Sequence, residues 1–336
     1  MKRAVIFAII IAVMMLTVPA AMCGKHTSGE TTAGDVTAPS VPSDRTPKDN
    51  TAKSDEKIRV WFPEEKKTVE TDLRSYLICA TAGEMPAAYE TEALRAQALA
   101  AATLVRRLIR EGNEVEGSDG AVVAADPGTN QAYMSEDEMK KRWGDDYEKW
   151  HSRIADAVDT VIDYEIVYNG EPILAAFHAI SSGTTESAEN VWGKSIPYLT
   201  EVESAGDKLA PNYASSVTVS EDELKKALGI ESGKTGSELI KDARYTSAGT
   251  LTGVEIGGKT FSGAELRKAF SLRSSSIRIV SADGNVTLSV VGYGHGIGMS
   301  QYGADYYARQ GCTWREIIAH YYPGTELVSL TEKAAA

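Results

Sequence analysis

The sequence predicts an α+β fold: helices and β-hairpins mixed in one globular unit with a catalytic cleft. Helix-type and strand-type segments follow one another without a regular β-α-β order, which is typical of α+β proteins rather than of doubly wound folds. The 336 residues are 43% hydrophobic, and a chain of this length and composition can bury a sizeable core. Only the N-terminal segment differs clearly in composition from the rest.

That segment predicts a membrane anchor at residues 1–23. Lys2 and Arg3 precede the uncharged stretch Ala4–Met22, and about twenty apolar residues span a bilayer. The positive charges favour a cytoplasmic N-terminus and export of the remainder. We therefore expect a single-pass cell-membrane protein with an extracytoplasmic domain; a cleaved signal peptide is the alternative.

Residues 24–57 are rich in Thr, Ser, Pro, Lys and Asp, so they are predicted to be a flexible linker ahead of a domain at 58–330. The net charge of −12 lacks the basic excess that nucleic acid or an anionic membrane surface favours. Three cysteines exclude a fully paired intrachain framework and show no metal-ligand spacing. Cys79, in an apolar run, is predicted to be a buried free thiol.

The first half of the domain is predicted to contain two strands and two helical regions. Ile58–Phe62 and Leu73–Ala80 have strand-like apolar runs. Met85–Glu111 is predicted to be a helix, because it is rich in alanine and Pro86 suits a first helical turn. Ser135–Asp163 is predicted to be helical, with Ser135 capping its N-terminus.

The second half is predicted to be richer in hairpins. Ile166–Phe177 has a turn signal at Asn169-Gly170. Gly253–Thr260 satisfies the phosphate-loop pattern literally, but two short strands around Gly257-Gly258 predict a hairpin instead. The remaining predicted elements are strands at Thr252–Phe261 and Ile277–Val291 and helices at Ser220–Leu228, Tyr302–Gln310 and Trp314–His320.

Glu84 is the candidate general acid. It stands beside the Met85-Pro86 step, which predicts a rigid position where a loop enters a helix. A structural alternative is that an acidic residue there simply complements the helix dipole, which would lower its pKa. Acid catalysis would then require compensating burial of the carboxyl group.

Two distant loops are candidate ligand loops. The first, His178–Glu186, offers an imidazole and several hydroxyls, but has no nucleophile elbow. In the second, Gly292–Gly303, alternating glycines allow close approach of a ligand, although a tight turn is an equal alternative. A zinc site joining both loops through Glu186 lacks the usual ligand spacing. We expect the two loops to converge on a groove around Glu84.

Several ordered motifs resemble the stage II sporulation protein D family of peptidoglycan lytic transglycosylases. The matching segments, in the family's order, are Gly83–Pro86, Ala96–Ala98, Gln131 with Tyr133, His178–Gly183, Val191–Gly193, Pro197–Leu199, Gly263–Arg267 and Gly294–Ala304. The resemblance implies cleavage of the β-1,4 bond between N-acetylmuramic acid and N-acetylglucosamine, leaving 1,6-anhydromuramic ends. Glu84 would be the single catalytic residue, because the C6 hydroxyl of the sugar replaces water and a second carboxylate.

The resemblance also implies the surroundings of the reaction. The preferred substrate would be glycan stripped of stem peptides by a partner amidase of the stage II sporulation protein P type, in septal wall remodelling during sporulation and engulfment, together with a membrane scaffold. No cofactor and no nucleic acid are expected. The implied substrate-binding residues are Gln131, Tyr133, His178, Ser182, Thr184, Tyr198, His295, Gln301 and Tyr302.

Two departures from the family pattern bear on activity. The family often has Arg where this chain has Ala102, so activity could be weak, or Arg106 could serve instead. Some relatives hold zinc in the loop that is Ala125–Asn130 here; that loop has neither Cys nor His, so we predict no zinc. The alternative function is a non-catalytic glycan-binding module that recruits or activates a cell-wall amidase.

Overall fold

A computed structural model describes residues 56–333. The predicted anchor and nearly all of the predicted linker lie outside the described residues. Helices and sheets are mixed without regular alternation, which confirms the α+β class. Within residues 56–333, no helix is both long enough and apolar enough to cross a membrane.

The elements follow in chain order. The first group comprises β1 (Lys57–Phe62), β2 (Lys67–Asp72), α1 (Leu73–Glu84), α2 (Thr91–Arg110), β3 (Val123–Ala124), α3 (Glu136–Trp143), α4 (Tyr147–Val161), β4 (Tyr164–Tyr168), β5 (Glu171–Pro172), β6 (Phe177–His178) and α5 (Ala188–Trp192). The second comprises β7 (Ala214–Ser220), α6 (Glu221–Ala227), β8 (Ile240–Tyr245), β9 (Leu251–Ile256), β10 (Lys259–Phe261), α7 (Gly263–Ala269), β11 (Ile277–Ala282) and β12 (Asn285–Val291). The last comprises β13 (Met299–Ser300), α8 (Gln301–Arg309), α9 (Trp314–Tyr321), β14 (Glu326–Ser329) and α10 (Leu330–Lys333).

The buried hydrophobic side chains form two clusters, so we distinguish a first lobe (residues 56–213 and 292–333) from a second lobe (residues 214–291). The first lobe is built around α2, whose alanines are buried and let α1, α4, α8 and α9 pack close to its backbone. Its predicted hairpin at Asn169-Gly170 is confirmed: both residues have positive φ (52° and 81°), as a type I′ turn requires.

The predicted strand at Leu73–Ala80 is wrong, because these residues form helix α1. Leu73, Tyr76, Leu77 and Ala80 are fully buried, and their spacing of three and four residues places them on one helix face. Asp72 caps the helix, its carboxylate accepting the Ser75 N–H at 2.8 Å. The cap residue was the sequence signal that favoured a helix over a strand.

The start of the next helix was also predicted too early. Helix α2 begins at Thr91, and residues 85–90 connect it to α1, with Pro86 exposed. Glu84 therefore ends one helix instead of preceding another. The predicted helical region from Ser135 is confirmed: Ser135 and Glu138 form a capping box, and a turn at Gly144 divides α3 from α4.

The second lobe contains the elements predicted for it and, in addition, β7, β8 and α7, which were not predicted. Strands β9 and β10 pair as a hairpin across Gly257-Gly258, which confirms that the literal phosphate-loop match is not one. Helix α6 begins after Ser220, in a capping box with Glu223. Strands β7, β12 and β11 form an antiparallel sheet that covers the lobe's own core.

The second lobe is joined to the first by two adjacent strands and by side-chain contacts. At the junction, the Gly292 N–H donates to the Tyr213 carbonyl at 2.8 Å. Ser182 of the first lobe donates its hydroxyl to the Ala248 carbonyl at 2.6 Å, and Thr246 donates to the Glu186 carboxylate at 2.6 Å. The hydroxyl-rich loop after β6 thus ties the lobes together.

Candidate active site

A cleft of about 920 Å³ receives side chains from both lobes. From the first lobe it is lined by the end of α1, by α2, by the loop before α3, by the segment around β6 and by the start of α8. Arg267 of α7 reaches it from the second lobe. Glu84, His178, His295 and Gln301 all line this one cleft, so the expected convergence of the two distant loops on Glu84 is confirmed.

Glu84 is the last residue of α1, at the negative end of the helix dipole. The predicted position at a helix N-terminus is therefore wrong, and the objection that the dipole would lower its pKa no longer applies. One carboxylate oxygen accepts the Ala132 N–H at 2.5 Å, and the other accepts the Gln301 amide at 3.3 Å. The carboxylate is thus held by two donors from distant segments.

Gly83 makes the closer of these bonds possible. A Cβ atom at this position would stand 2.8 Å from the backbone nitrogen of Tyr133 and 2.9 Å from the carbonyl carbon of Ala132. Real side chains do not tolerate such distances to backbone atoms, so only glycine lets the segment approach Glu84. Gly83 is therefore required for the hydrogen bond between the Ala132 N–H and Glu84.

Burial raises the pKa of Glu84 above its ordinary value, against the opposing effect of the bonds from Ala132 and Gln301. A carboxyl group of raised pKa holds a proton nearer neutral pH, as a general acid must. Among the described residues that line the cleft, Glu84 is the acidic one. The cleft therefore offers one carboxyl group, without the second of an ordinary glycosidase.

A glutamine behind the cleft positions the donor to Glu84. The Gln301 amide also reaches the Gln97 side-chain oxygen at 3.4 Å, and Gln97 is fully buried on α2. Sequence reasoning did not assign Gln97 a role, although a polar residue inside an alanine-rich helix was the available signal.

The two histidines are held neutral. Burial lowers the pKa of His178 to about 3 and that of His295 to about 4, and the Arg267 charge adds to the second shift. His178 Nδ1 donates to the Ile297 carbonyl at 3.1 Å, whereas His295 Nδ1 accepts the Ile297 N–H at 3.0 Å. His178 Nε2 is then a buried acceptor without a partner in the described part of the protein, suited to a ligand hydroxyl.

The zinc alternative finds no support in this arrangement. Glu186 is engaged by Thr246 and Asn190, and within residues 56–333 no three His, Cys, Asp or Glu side chains are placed so that they could hold a metal ion together. That the loop 125–130 binds no zinc remains a prediction, which elemental analysis of the purified protein would test.

Other predicted substrate-binding residues lie behind the cleft surface. Gln131 is fully buried and accepts the Tyr76 hydroxyl at 2.9 Å. The Tyr133 ring packs edge-on against Phe62, with centroids 5.1 Å apart. Tyr198 is buried, and its hydroxyl accepts the Leu174 N–H at 2.9 Å. These side chains support the cleft wall and do not contact its open space.

The remaining three predicted substrate-binding residues lie beside the cleft. Ser182 and Thr184 line a separate small cavity between the lobes. Tyr302 is outside the cleft lining; its ring packs edge-on against Tyr89 at 6.2 Å, and its hydroxyl donates to the Leu209 carbonyl at 3.2 Å. Stacking of Tyr302 or Tyr198 on a sugar ring is therefore not what this geometry favours.

Three cleft residues were missed by the sequence analysis. Trp192 and Tyr293 are 43% and 47% exposed, unusual for large aromatic side chains, and both line the cleft with Arg267. Exposed aromatic faces suit stacking on sugar rings. The signal was present, since Trp192 and Arg267 stand in segments singled out for their resemblance.

Comparison with known proteins identifies the family of this chain. A family model described as stage II sporulation protein matches residues 63–168. Stage II sporulation protein D of Bacillus subtilis (strain 168) is 38% identical over 256 residues, covering 76% of this chain and 74% of the relative. The chain belongs to the stage II sporulation protein D family. Its counterpart from Bacillus amyloliquefaciens is 37% identical over 255 residues, with 76% and 74% covered.

A more distant relative carries a different name. The amidase enhancer of Bacillus subtilis (strain 168) is 28% identical over 299 residues, covering 73% of this chain and 39% of that protein. The likeness extends over most of the present chain but less than half of the relative.

The structure describes the position of Ala102, where the resemblance to the family implies an Arg. Ala102 is fully buried in α2, whereas Leu104 lines the cleft. Arg106 donates to the Ile162 and Tyr164 carbonyls at 2.8 and 3.1 Å and is absent from the cleft lining. The suggestion that Arg106 replaces the missing arginine at the site is therefore wrong.

Proposed function

We propose that this chain is a lytic transglycosylase that cleaves the β-1,4 bond between N-acetylmuramic acid and N-acetylglucosamine in peptidoglycan. The observation that carries the proposal is Glu84: a half-buried carboxyl group of raised pKa, lining a large cleft without a second carboxylate among the described lining residues. A reaction in which the substrate supplies its own nucleophile needs one such group.

Each of these cleft residues has its own role in the reaction. Glu84 protonates the glycosidic oxygen as the bond breaks, and its carboxylate then takes the proton of the muramic C6 hydroxyl, which closes on the anomeric carbon. The Ala132 N–H and the Gln301 amide stabilise the ionised form between the two transfers. His178 Nε2 accepts a sugar hydroxyl, and Trp192 and Tyr293 offer ring faces to the glycan.

The cellular setting belongs to the same proposal. Anchored by residues 1–23, the domain would face septal peptidoglycan during sporulation and engulfment. It would act on strands already stripped of stem peptides, beside a cell-wall amidase and a membrane scaffold. Similarity to an amidase enhancer supports the amidase link.

A second candidate function is a non-catalytic glycan-binding module that activates an amidase. It is favoured by the name of the amidase enhancer relative and by Ala102, where the family often has Arg. The retained and hydrogen-bonded Glu84 favours catalysis instead.

Mass spectrometry separates the two. The full-length chain in detergent is incubated with peptide-free glycan strands, and 1,6-anhydromuramic ends are sought. We expect Glu84→Gln to abolish these ends while keeping glycan binding, and Glu64→Gln, at an exposed position, to retain them. Binding without anhydromuramic products from the unmodified chain would favour the second function.

A further inference from the structure

Arg267 is a cation in the cleft that has no carboxylate partner among residues 56–333. It stands on α7 of the second lobe and is partly buried. Its Nε–H donates to the Leu272 carbonyl at 3.3 Å, and no acidic side chain within residues 56–333 forms an ion pair with it. The two terminal nitrogens remain available to a ligand.

An unpaired guanidinium in this setting is costly unless a ligand compensates it. Burial lowers the pKa of Arg267, the sign of a charge that has lost part of its hydration. The neighbouring His295 is neutral and offers no counter-charge, and the Glu84 carboxylate accepts its hydrogen bonds from Ala132 and Gln301 of the first lobe. An anionic group on the substrate is the natural partner of such an arginine.

Arg267 also stands where a polymer would pass. A second cavity of about 590 Å³, between α5 and α7, shares Trp192, Arg267 and His295 with the main cleft. The groove therefore continues beyond the acid, and Arg267 lies at the junction of its two parts. A strand occupying both parts runs directly past the guanidinium.

Resting on the proposed function, we propose that Arg267 binds the lactyl carboxylate of a muramic acid residue that carries no stem peptide, and thereby selects stripped strands. In a peptide-bearing strand the same carbonyl carbon is part of a neutral amide, which cannot form a charged bidentate pair with a guanidinium. N-acetylglucosamine has no acidic group, so the lactyl carboxylate is the anion that a bare glycan presents. Arg267 is thus a specificity-determining residue.

The test is a binding measurement that does not depend on cleavage. Glu84→Gln full-length protein is titrated with peptide-free strands and with the same strands after the lactyl carboxylates are converted to N-methylamides. We expect the unmodified strands, which carry free lactyl carboxylates (the acid form), to bind about tenfold more tightly than the methylamide strands, or better. This difference is the amount of one charge-assisted pair. Adding Arg267→Gln should reduce acid-form affinity to that of the methylamide and leave methylamide affinity unchanged.

The matched control is Arg278→Gln in the same lobe. Arg278 also donates to a backbone carbonyl, that of Gly249 at 3.3 Å, and stacks on Tyr245 away from both cavities. It should preserve the acid-form preference. Arg267→Lys retains the charge without the bidentate fork, so an intermediate preference with an unchanged unfolding transition would support a direct contact.

Equal binding of the two strand forms by the Glu84→Gln protein would overturn this role of Arg267, as would an acid-form preference that survives Arg267→Gln. Neither result would contradict the transglycosylase proposal, because that proposal is tested by the anhydromuramic ends that the unmodified chain produces. Conversely, absence of those ends leaves the carboxylate preference measurable, because the binding experiment uses a variant that need not cleave.

Discussion

The two lobes contribute to the cleft in different ways. The first lobe supplies Glu84 and both of its hydrogen-bond donors, assembled from segments that are 48 and 217 residues distant from Glu84 along the chain. The second lobe, built largely from hairpins, supplies Arg267. The acid thus depends on long-range packing, whereas the cation stands on a locally folded unit. Variants in each lobe can therefore show how independent these two contributions are.

The largest expected effect is on the core of the second lobe. Leu288 is fully buried there, and Leu288→Ala should cost about 2–5 kcal/mol of unfolding free energy. All five tryptophans lie in the first lobe: Trp61, Trp143, Trp150, Trp192 and Trp314. We expect circular dichroism to show an early transition while tryptophan fluorescence keeps its midpoint.

Val280→Ala on the neighbouring strand β11 is the control, since Val280 is 60% exposed and should change the transition little. If both probes shift together in Leu288→Ala, the two lobes unfold as one unit. The second lobe is then not an independently folded unit.

The next largest effect is on the unfolding free energy of the first lobe at low pH. The pKa of buried His178 is lowered to about 3, so between about pH 6.5 and 3 the unfolded chain binds a proton that the folded chain does not. Stability is therefore complete above pH 6.5 and falls as the pH drops, on the order of a few kcal/mol for one such group. His178→Gln should flatten this loss in urea titrations at stepped pH.

An unchanged acid slope in His178→Gln would show that the imidazole is not held neutral. His295, with a pKa lowered to about 4, should account for part of the slope that remains.

A smaller effect is expected at Gly83. Gly83→Ala places a methyl group against the backbone of Ala132 and Tyr133, which should cost about 1–3 kcal/mol and reduce anhydromuramic product by displacing the donor to Glu84. Thermal unfolding and product analysis measure the two effects. Gly233→Ala, with nothing within 4 Å of the added methyl, should alter neither; full activity in Gly83→Ala would contradict the role assigned to the Ala132 bond.

The smallest effect is expected at Tyr302. Tyr302→Phe removes the hydroxyl bond to Leu209 and should cost about 0.5–1.5 kcal/mol of stability without weakening glycan binding. Because Tyr302 lies outside the cleft lining, a clear loss of affinity measured by glycan titration would return it to the substrate-binding residues.

The second lobe, which folds from local hairpins, was easier to predict from sequence than the first lobe, which depends on long-range packing. In the second lobe, Gly257-Gly258 and Ser220 specify a turn and a cap through local backbone chemistry, and both were predicted correctly. In the first lobe, the apolar spacing at Leu73–Ala80 suited a strand as well as a helix, and only the Asp72 cap distinguished them. Local patterns decide hairpins and caps more readily than buried helices.

The site was predictable as a set of motifs but not as a surface. Glu84, His178, His295 and Gln301 were singled out from sequence and share the cleft. Gln131 and Tyr198 belong to the same motifs, yet their side chains point into supporting contacts. Which member of a motif faces solvent depends on packing between distant elements, and spacing along the chain does not encode it.

The hydrogen bond that closes the junction between the lobes, from Gly292 N–H to the Tyr213 carbonyl at 2.8 Å, has an evolutionary consequence. A unit whose two ends lie side by side can be lengthened, shortened or exchanged without moving the chain on either side of it. Changes in length or sequence within residues 214–291 would then leave Glu84 and its donors from Ala132 and Gln301 in place.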